Sequence, residues 1–68
     1  MTKQFVFARA GYSVVVRITN HEDIYTASFL RYDDNGEIIP EKGYCSPRLL
    51  KDEMVTWLNR YRHFIFSS

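Results

Sequence analysis

Residues 46–61 have the sequence SPRLLKDEMVTWLNRY and separate a strand-rich part of the chain from one helix. A serine hydroxyl can accept hydrogen bonds from the free N–H groups of a first helical turn, and proline suits the first helical position. The apolar residues that follow recur at the spacing of one helix face: Leu50, Met54, Trp57, Leu58 and Tyr61. The stretch therefore predicts an amphipathic helix over residues 47–63, capped by Ser46.

The part before this stretch has the residue pattern of β-strands. Along residues 3–9 aromatic side chains alternate with smaller apolar ones, and along residues 24–32 apolar side chains alternate with polar ones, while residues 12–19 are rich in β-branched residues and suit a central strand. Asn35-Gly36 favours a hairpin turn because both residues accept positive φ, and a short strand over residues 37–39 is expected after it. The predicted fold class is α+β: an antiparallel three- to four-stranded β-meander followed by one C-terminal amphipathic α-helix, packed on one sheet face in a single small domain.

Length and composition limit the class of protein. The 68 residues have room for one modest core, which five Phe, five Tyr and one Trp help to fill. Cys45 is the only cysteine, so an internal disulfide is impossible and a reducing, cytoplasmic setting is expected. The longest apolar runs are much shorter than the ~20 residues that cross a bilayer, so no membrane partner is predicted.

The charged residues are unevenly distributed although the formal net charge is +1. Residues 1–19 contain basic residues and no acid, and residues 42–68 are again mainly basic. Residues 20–41 contain six acids and a single base, Arg31. Such segregation can give a nearly neutral chain two electrostatically different surfaces. The alternative is that the charged residues lie in solvated loops and form no functional surface.

Few residues are candidates for catalysis or metal binding. Cys45 precedes the predicted helix, where backbone N–H groups can favour a thiolate, but the only histidines, His21 and His63, belong to no recognisable motif. The alternative is that Cys45 is a small buried packing residue. Zinc-ligand spacing is absent, and residues 33–37 lack the spacing of a calcium loop. The sequence predicts a protein that is not an enzyme and uses no catalytic residue, metal or cofactor.

A protein partner is the leading functional hypothesis. If the helix covers one sheet face, the other stays open and carries Val15, and turn acids from the 20–23 and 40–43 connections are expected to cluster at one end of the sheet. The predicted partner-binding residues combine that face, these acids and the apolar tail: Val15, Glu22, Asp23, Glu41, Phe64 and Phe66. The chain would then be a small inhibitor or adaptor that occludes another protein's surface, or a homodimer that uses the same patch.

Nucleic acid is the alternative partner. A basic helix face could contact phosphate groups through Arg48, Lys51, Arg60 and Arg62. Asp52 and Glu53 dilute that face, and Trp57 lies on the apolar stripe rather than beside it. In broad outline the chain is similar to small accessory and inhibitor proteins encoded by phages and plasmids, an analogy of size and shape that assigns no residue a role.

Overall fold

The computed structural model describes residues 1–66, apart from the side chains of residues 64 and 65. Four strands form one antiparallel sheet, and a helix follows them; the elements in chain order are β1 (Thr2–Arg9), β2 (Tyr12–His21), β3 (Ile24–Asp33), β4 (Tyr44–Cys45) and α1 (Lys51–Ile65). The strand order is β1-β2-β3-β4, so each strand pairs with its neighbour along the chain. The α+β prediction is confirmed, because α1 packs against β3 on one face of this sheet.

The three long strands have the predicted alternation. Val16 lies opposite Phe5 of β1 and Phe29 of β3, so the three side chains share one face of the sheet. The core on that face is formed by Val14, Val16 and Phe29, all buried. Gly11 turns β1 into β2 with a φ of 86°, a value that glycine adopts without steric cost.

The fourth strand does not lie where the sequence predicts it. Residues 37–39 make only an isolated bridge, in which Ile38 lies opposite Tyr32, and Pro40 then begins a 3₁₀ turn. Proline has no N–H to continue a ladder, so the hairpin ends after this single bridge. The chain returns to β3 later, where Tyr44 of β4 lies opposite Phe29.

The helix also begins later than predicted, at Lys51. Ser46 does not cap it, because the Ser46 N–H donates to the Ala27 carbonyl at 2.8 Å and the Ser46 hydroxyl oxygen accepts from the Ala27 N–H at 2.8 Å. Leu49 continues this pairing by exchanging two backbone hydrogen bonds with Tyr25. The first helical turn is instead closed by the Glu53 carboxylate, which accepts from the Leu50 N–H at 2.9 Å.

The predicted apolar stripe of α1 packs on the sheet, with one exception. Met54 is buried, and Trp57 stacks on Phe29 with 5.3 Å between ring centroids. Leu58 and Tyr61 pack against the same core. Leu50, by contrast, is 56% exposed; it precedes the first helical residue and has extended backbone, so it does not continue the helical stripe. Within the described chain, no helix is long and apolar enough to cross a membrane.

The residue that follows α1 folds back onto the helix-covered face. The Tyr12 hydroxyl donates to the Phe66 carbonyl at 3.0 Å, and the Phe66 ring contacts Phe7 of β1. The start of α1 lies near Lys3 and Tyr25, at the other end of the same strands. The helix therefore runs in the same direction as β1 and β3.

Candidate functional site: an apolar groove beside the edge strand

The helix leaves part of its own sheet face uncovered. A helix is about 10 Å wide and strands are about 4.8 Å apart, so one helix covers about two strands. Because α1 lies over β3, the side chains that β1 places on this face stay accessible: Phe5 is 44% exposed and Phe7 is 37% exposed. The result is a groove with β1 on one side and α1 on the other, called here the β1–α1 groove.

The groove consists of two adjoining cavities of about 320 and 360 Å³ that share Phe5 and Ile18. Val16 and Phe29 contribute to the floor, and Leu58 of α1 forms part of the opposite wall. One cavity is lined almost entirely by apolar surface. An accessible concave surface of this kind is typical of a site that binds another molecule through hydrophobic contact.

Basic side chains stand at both ends of the β1–α1 groove. Lys3 and Lys51 line it at the end where the helix begins. Arg62 lines the other end, where the Arg9 guanidinium carbon lies 5.0 Å from the centroid of the Phe66 ring. Among the described residues that line the two cavities, none is acidic. The groove therefore combines an apolar middle with positive charge at each end.

Strand β1 also presents a free backbone edge. Met1 and Asn20 exchange two backbone hydrogen bonds of 2.8 Å, which fixes the odd-numbered residues of β1 as those bonded to β2. The N–H and C=O groups of its even-numbered residues consequently point away from the sheet. An edge strand in this state can contact a partner through its backbone as well as its side chains.

The open face, opposite α1, contains the predicted Val15. It lies between Val6 and Leu30 in an apolar row across the sheet and is half-buried by these neighbours. The row on one side is polar: Arg17 donates to the Gln4 side-chain oxygen at 2.9 Å. The row on the other side includes Tyr32, which lies opposite Ile38. The apolar area around Val15 is therefore bounded by a wholly polar row on one side only.

The three predicted turn acids are not brought together. Glu22 and Asp23 form the exposed β2–β3 turn, in which Glu22 has a φ of 59°. Glu41 lies in the 3₁₀ turn, which packs beside the second half of β3 because the Ile39 N–H donates to the Arg31 carbonyl. About six residues of β3, or roughly 20 Å, separate the two places. The predicted acidic cluster depended on a fourth strand at 37–39, and the actual path of the chain removes it.

The four bases of the nucleic-acid hypothesis lie on three different surfaces. Lys51 and Arg62 line the β1–α1 groove. Arg60 lies on the opposite flank of α1, in a depression that it shares with Asp52 and Glu53. Arg48 lies by the β2–β3 turn, close to Glu22. The helix therefore does not present these bases as one stripe.

The apolar tail is only partly described. Phe66 is half-buried against the sheet and forms one end of the β1–α1 groove. The side chain of Phe64 lies outside the described residues, so its predicted role in partner binding stays a prediction.

Cys45 lies in β4 opposite Ser28 and is exposed, so it is neither at the helix start nor buried, contrary to the sequence-based expectation. In the described part of the chain, no group of three or more His, Cys, Asp or Glu side chains could hold a metal ion. No protein-family model, curated protein or solved structure matches the chain.

The β1 side of the groove was not identified from the sequence. Its signal is nevertheless present: Lys3, Phe5, Phe7 and Arg9 lie at every second position and therefore on one strand face, with a base at each end and two aromatic rings between them. What the sequence lacks is the position of the helix, which decides whether that face is covered.

Proposed function

We propose that this protein is a non-enzymatic protein-binding module that occludes a surface of another protein, as an inhibitor or adaptor. The observation that carries the proposal is the β1–α1 groove, where Phe5 and Phe7 stay accessible although they share a face with the core. Hydrophobic burial would drive binding there, and accessible aromatic rings supply much of the energy of protein interfaces. The basic ends would orient the partner.

Two substitutions on the same strand test the proposal. Phe5 and Val6 are both exposed, at 44% and 63%, but Phe5 faces the groove and Val6 faces the opposite side of the sheet. Tagged wild-type protein, Phe5→Gln and Val6→Gln are used to capture partners from a lysate of the source organism, with and without nuclease treatment. We expect wild type and Val6→Gln to retain the same partner and Phe5→Gln to lose it.

The opposite pattern would contradict the groove as the binding site. If Val6→Gln lost the partner and Phe5→Gln kept it, the open face around Val15 would be the interface. Capture that disappears on nuclease treatment in all samples would contradict the protein-binding function and favour nucleic acid. Circular dichroism and the midpoint of thermal unfolding establish that both variants are folded.

A further inference from the structure

The shape and charge of the β1–α1 groove restrict what can occupy it. We infer that its occupant is an amphipathic helix of a partner protein, about three turns long, with an apolar stripe in the middle and acidic side chains at both ends. This inference rests on the proposed protein-binding function and adds the structural class and the charge of the partner segment.

The dimensions fit a second helix beside α1. The uncovered part of the face is the strip formed by β1 and the adjacent side of β2, which at about 4.8 Å per strand is about one helix wide. Along its length, the groove extends beside α1 from Lys51 to Arg62. At 1.5 Å per helical residue this is roughly 16 Å, or three turns. A helix laid there would complete the layer that α1 begins.

The lining specifies the chemistry of that helix. Phe5, Ile18 and Leu58 lie along the middle of the groove and would contact apolar residues spaced i, i+3 or i+4, and i+7. Lys3 and Lys51 stand at one end and Arg62 at the other, with no acid among the described lining residues. Carboxylates about three turns apart on the incoming helix would meet a base at each end.

A second copy of the chain fits the groove poorly. If two β1 strands paired antiparallel about Val6, Lys3 of one copy would lie opposite Arg9 of the other at both ends of the pair, and like charges across a sheet edge destabilise pairing. The apolar stripe of α1 is already packed on its own sheet. The acids outside α1 lie in the turns or directly beside them, and none of them is on a helix with an apolar face. An acidic helix from a different protein satisfies both charge and shape.

A restricted library of displayed helical peptides tests this inference. The peptides are about three turns long. Each position on the stripe that would face the groove carries Leu or Ser at equal frequency. Each position at the two ends of the helix carries Glu or Lys at equal frequency. Selections run in parallel on wild type, on the double variant Lys3→Glu with Arg62→Glu, and on Val6→Gln as an open-face control. We expect wild type and Val6→Gln to enrich Leu stripes with Glu at both ends, and the double variant, in which each end has one base and one acid, to lose the preference for Glu.

Affinities of the selected peptides then quantify the effect. A Glu-ended peptide should bind the double variant about tenfold more weakly than wild type, because two attractions become repulsions. Equal enrichment of Glu and Lys on wild type would overturn the charge inference. A selection that returns no peptide sensitive to Phe5→Gln would overturn the helical occupant. A dimer in light scattering that Phe5→Gln dissociates would make the occupant a second copy and overturn the acidic helix.

The experiments distinguish an error in the inferred acidic helix from an error in the proposed protein-binding function. If Phe5→Gln abolishes capture of a cellular partner but no helix is selected, protein binding through the groove stands and only the occupant is wrong. If Phe5→Gln leaves partner capture unchanged, the groove is not the binding site and the inferred helix is wrong, whereas protein binding through another surface stands; only capture that depends on nucleic acid contradicts the protein-binding function itself.

Discussion

The ring of Phe66 meets the ring of Phe7 edge to face, with 5.5 Å between their centroids and 90° between their planes. This geometry is a favoured one for aromatic pairs, because the positive edge of one ring meets the negative face of the other. Arg9 stacks on Phe66 from β1, and Tyr12 binds the Phe66 carbonyl. The residue that follows α1 therefore fastens the end of the helix to the edge strand and closes one end of the groove.

Phe66→Ala should lower the free energy of unfolding by about 1–3 kcal/mol, less than for a fully buried ring because Phe66 is half-buried. Tyr12→Phe is the matched control, since it removes only the hydroxyl and should cost about 1 kcal/mol. Urea unfolding followed by tryptophan fluorescence measures both. An unchanged midpoint for Phe66→Ala would mean that the ring does not pack on the sheet in solution, and the role of Phe66 would then be partner contact alone.

The start of α1 gives a second prediction, because two candidate caps have different partners. Ser46→Ala should speed amide hydrogen exchange at Ala27, whose N–H donates to the serine hydroxyl, and leave the first helical turn unchanged. Glu53→Ala should speed exchange at Leu50, whose N–H donates to the carboxylate, and lower stability by about 1 kcal/mol. Exchange rates measured by NMR distinguish the two. Faster exchange in the first turn of α1 after Ser46→Ala would restore Ser46 as the helix cap.

This difference shows which features local sequence patterns can predict. The strands of the meander and the apolar stripe of α1 follow from periodicity, which depends only on neighbouring residues. The start of the helix depends on whether Ser46 and Leu49 pair with β3, and their partners Ala27 and Tyr25 are distant along the chain. Serine followed by proline suits an extended segment as well as a helix start, so the local signal cannot decide between them.

The turn that follows β3 gives a third prediction. One oxygen of the Asp33 carboxylate accepts from both the Asn35 and the Glu37 N–H groups, each at 2.9 Å. Asp33→Ala should destabilise the protein by about 1–2 kcal/mol, since two turn amides lose their acceptor. Asp33→Asn keeps an acceptor oxygen in the same place and should cost about half as much or less. Thermal unfolding compares them, and equal losses would mean that the charge rather than the acceptor geometry holds the turn.

The candidate site could be predicted only in part. The bases Lys51 and Arg62 were identified from the sequence, but as members of a set with Arg48 and Arg60 that the fold divides among different surfaces. Positions 51 and 62 are eleven residues apart, about three whole turns, so they share one helix side, whereas positions 51 and 60 are nine apart and lie on opposite sides. Which side faces a groove depends on the lateral position of α1 over β3, a property of the packed layers that no local pattern encodes.

Pairwise neutralisation of these four bases distinguishes the two partner classes. Lys51→Gln with Arg62→Gln removes two charges from the groove, and Arg48→Gln with Arg60→Gln removes the same number from other surfaces. Glutamine has nearly the helix propensity of lysine and arginine, and the four positions are at the surface, so both variants should unfold within about 0.5 kcal/mol of wild type. Binding of the captured partner is measured by fluorescence anisotropy at low and moderate salt.

We expect Lys51→Gln with Arg62→Gln to weaken partner binding several-fold and to reduce the salt dependence of the affinity. Arg48→Gln with Arg60→Gln should leave the affinity and its salt dependence unchanged, because charges at the rim of an interface act on the partner that they face. A nucleic-acid partner would respond differently, because each phosphate contact contributes to the slope of log affinity against log salt regardless of which surface bears it. Equal losses and equal reductions in slope for both pairs would therefore contradict the groove as the binding site and support phosphate contacts distributed over several surfaces of the protein.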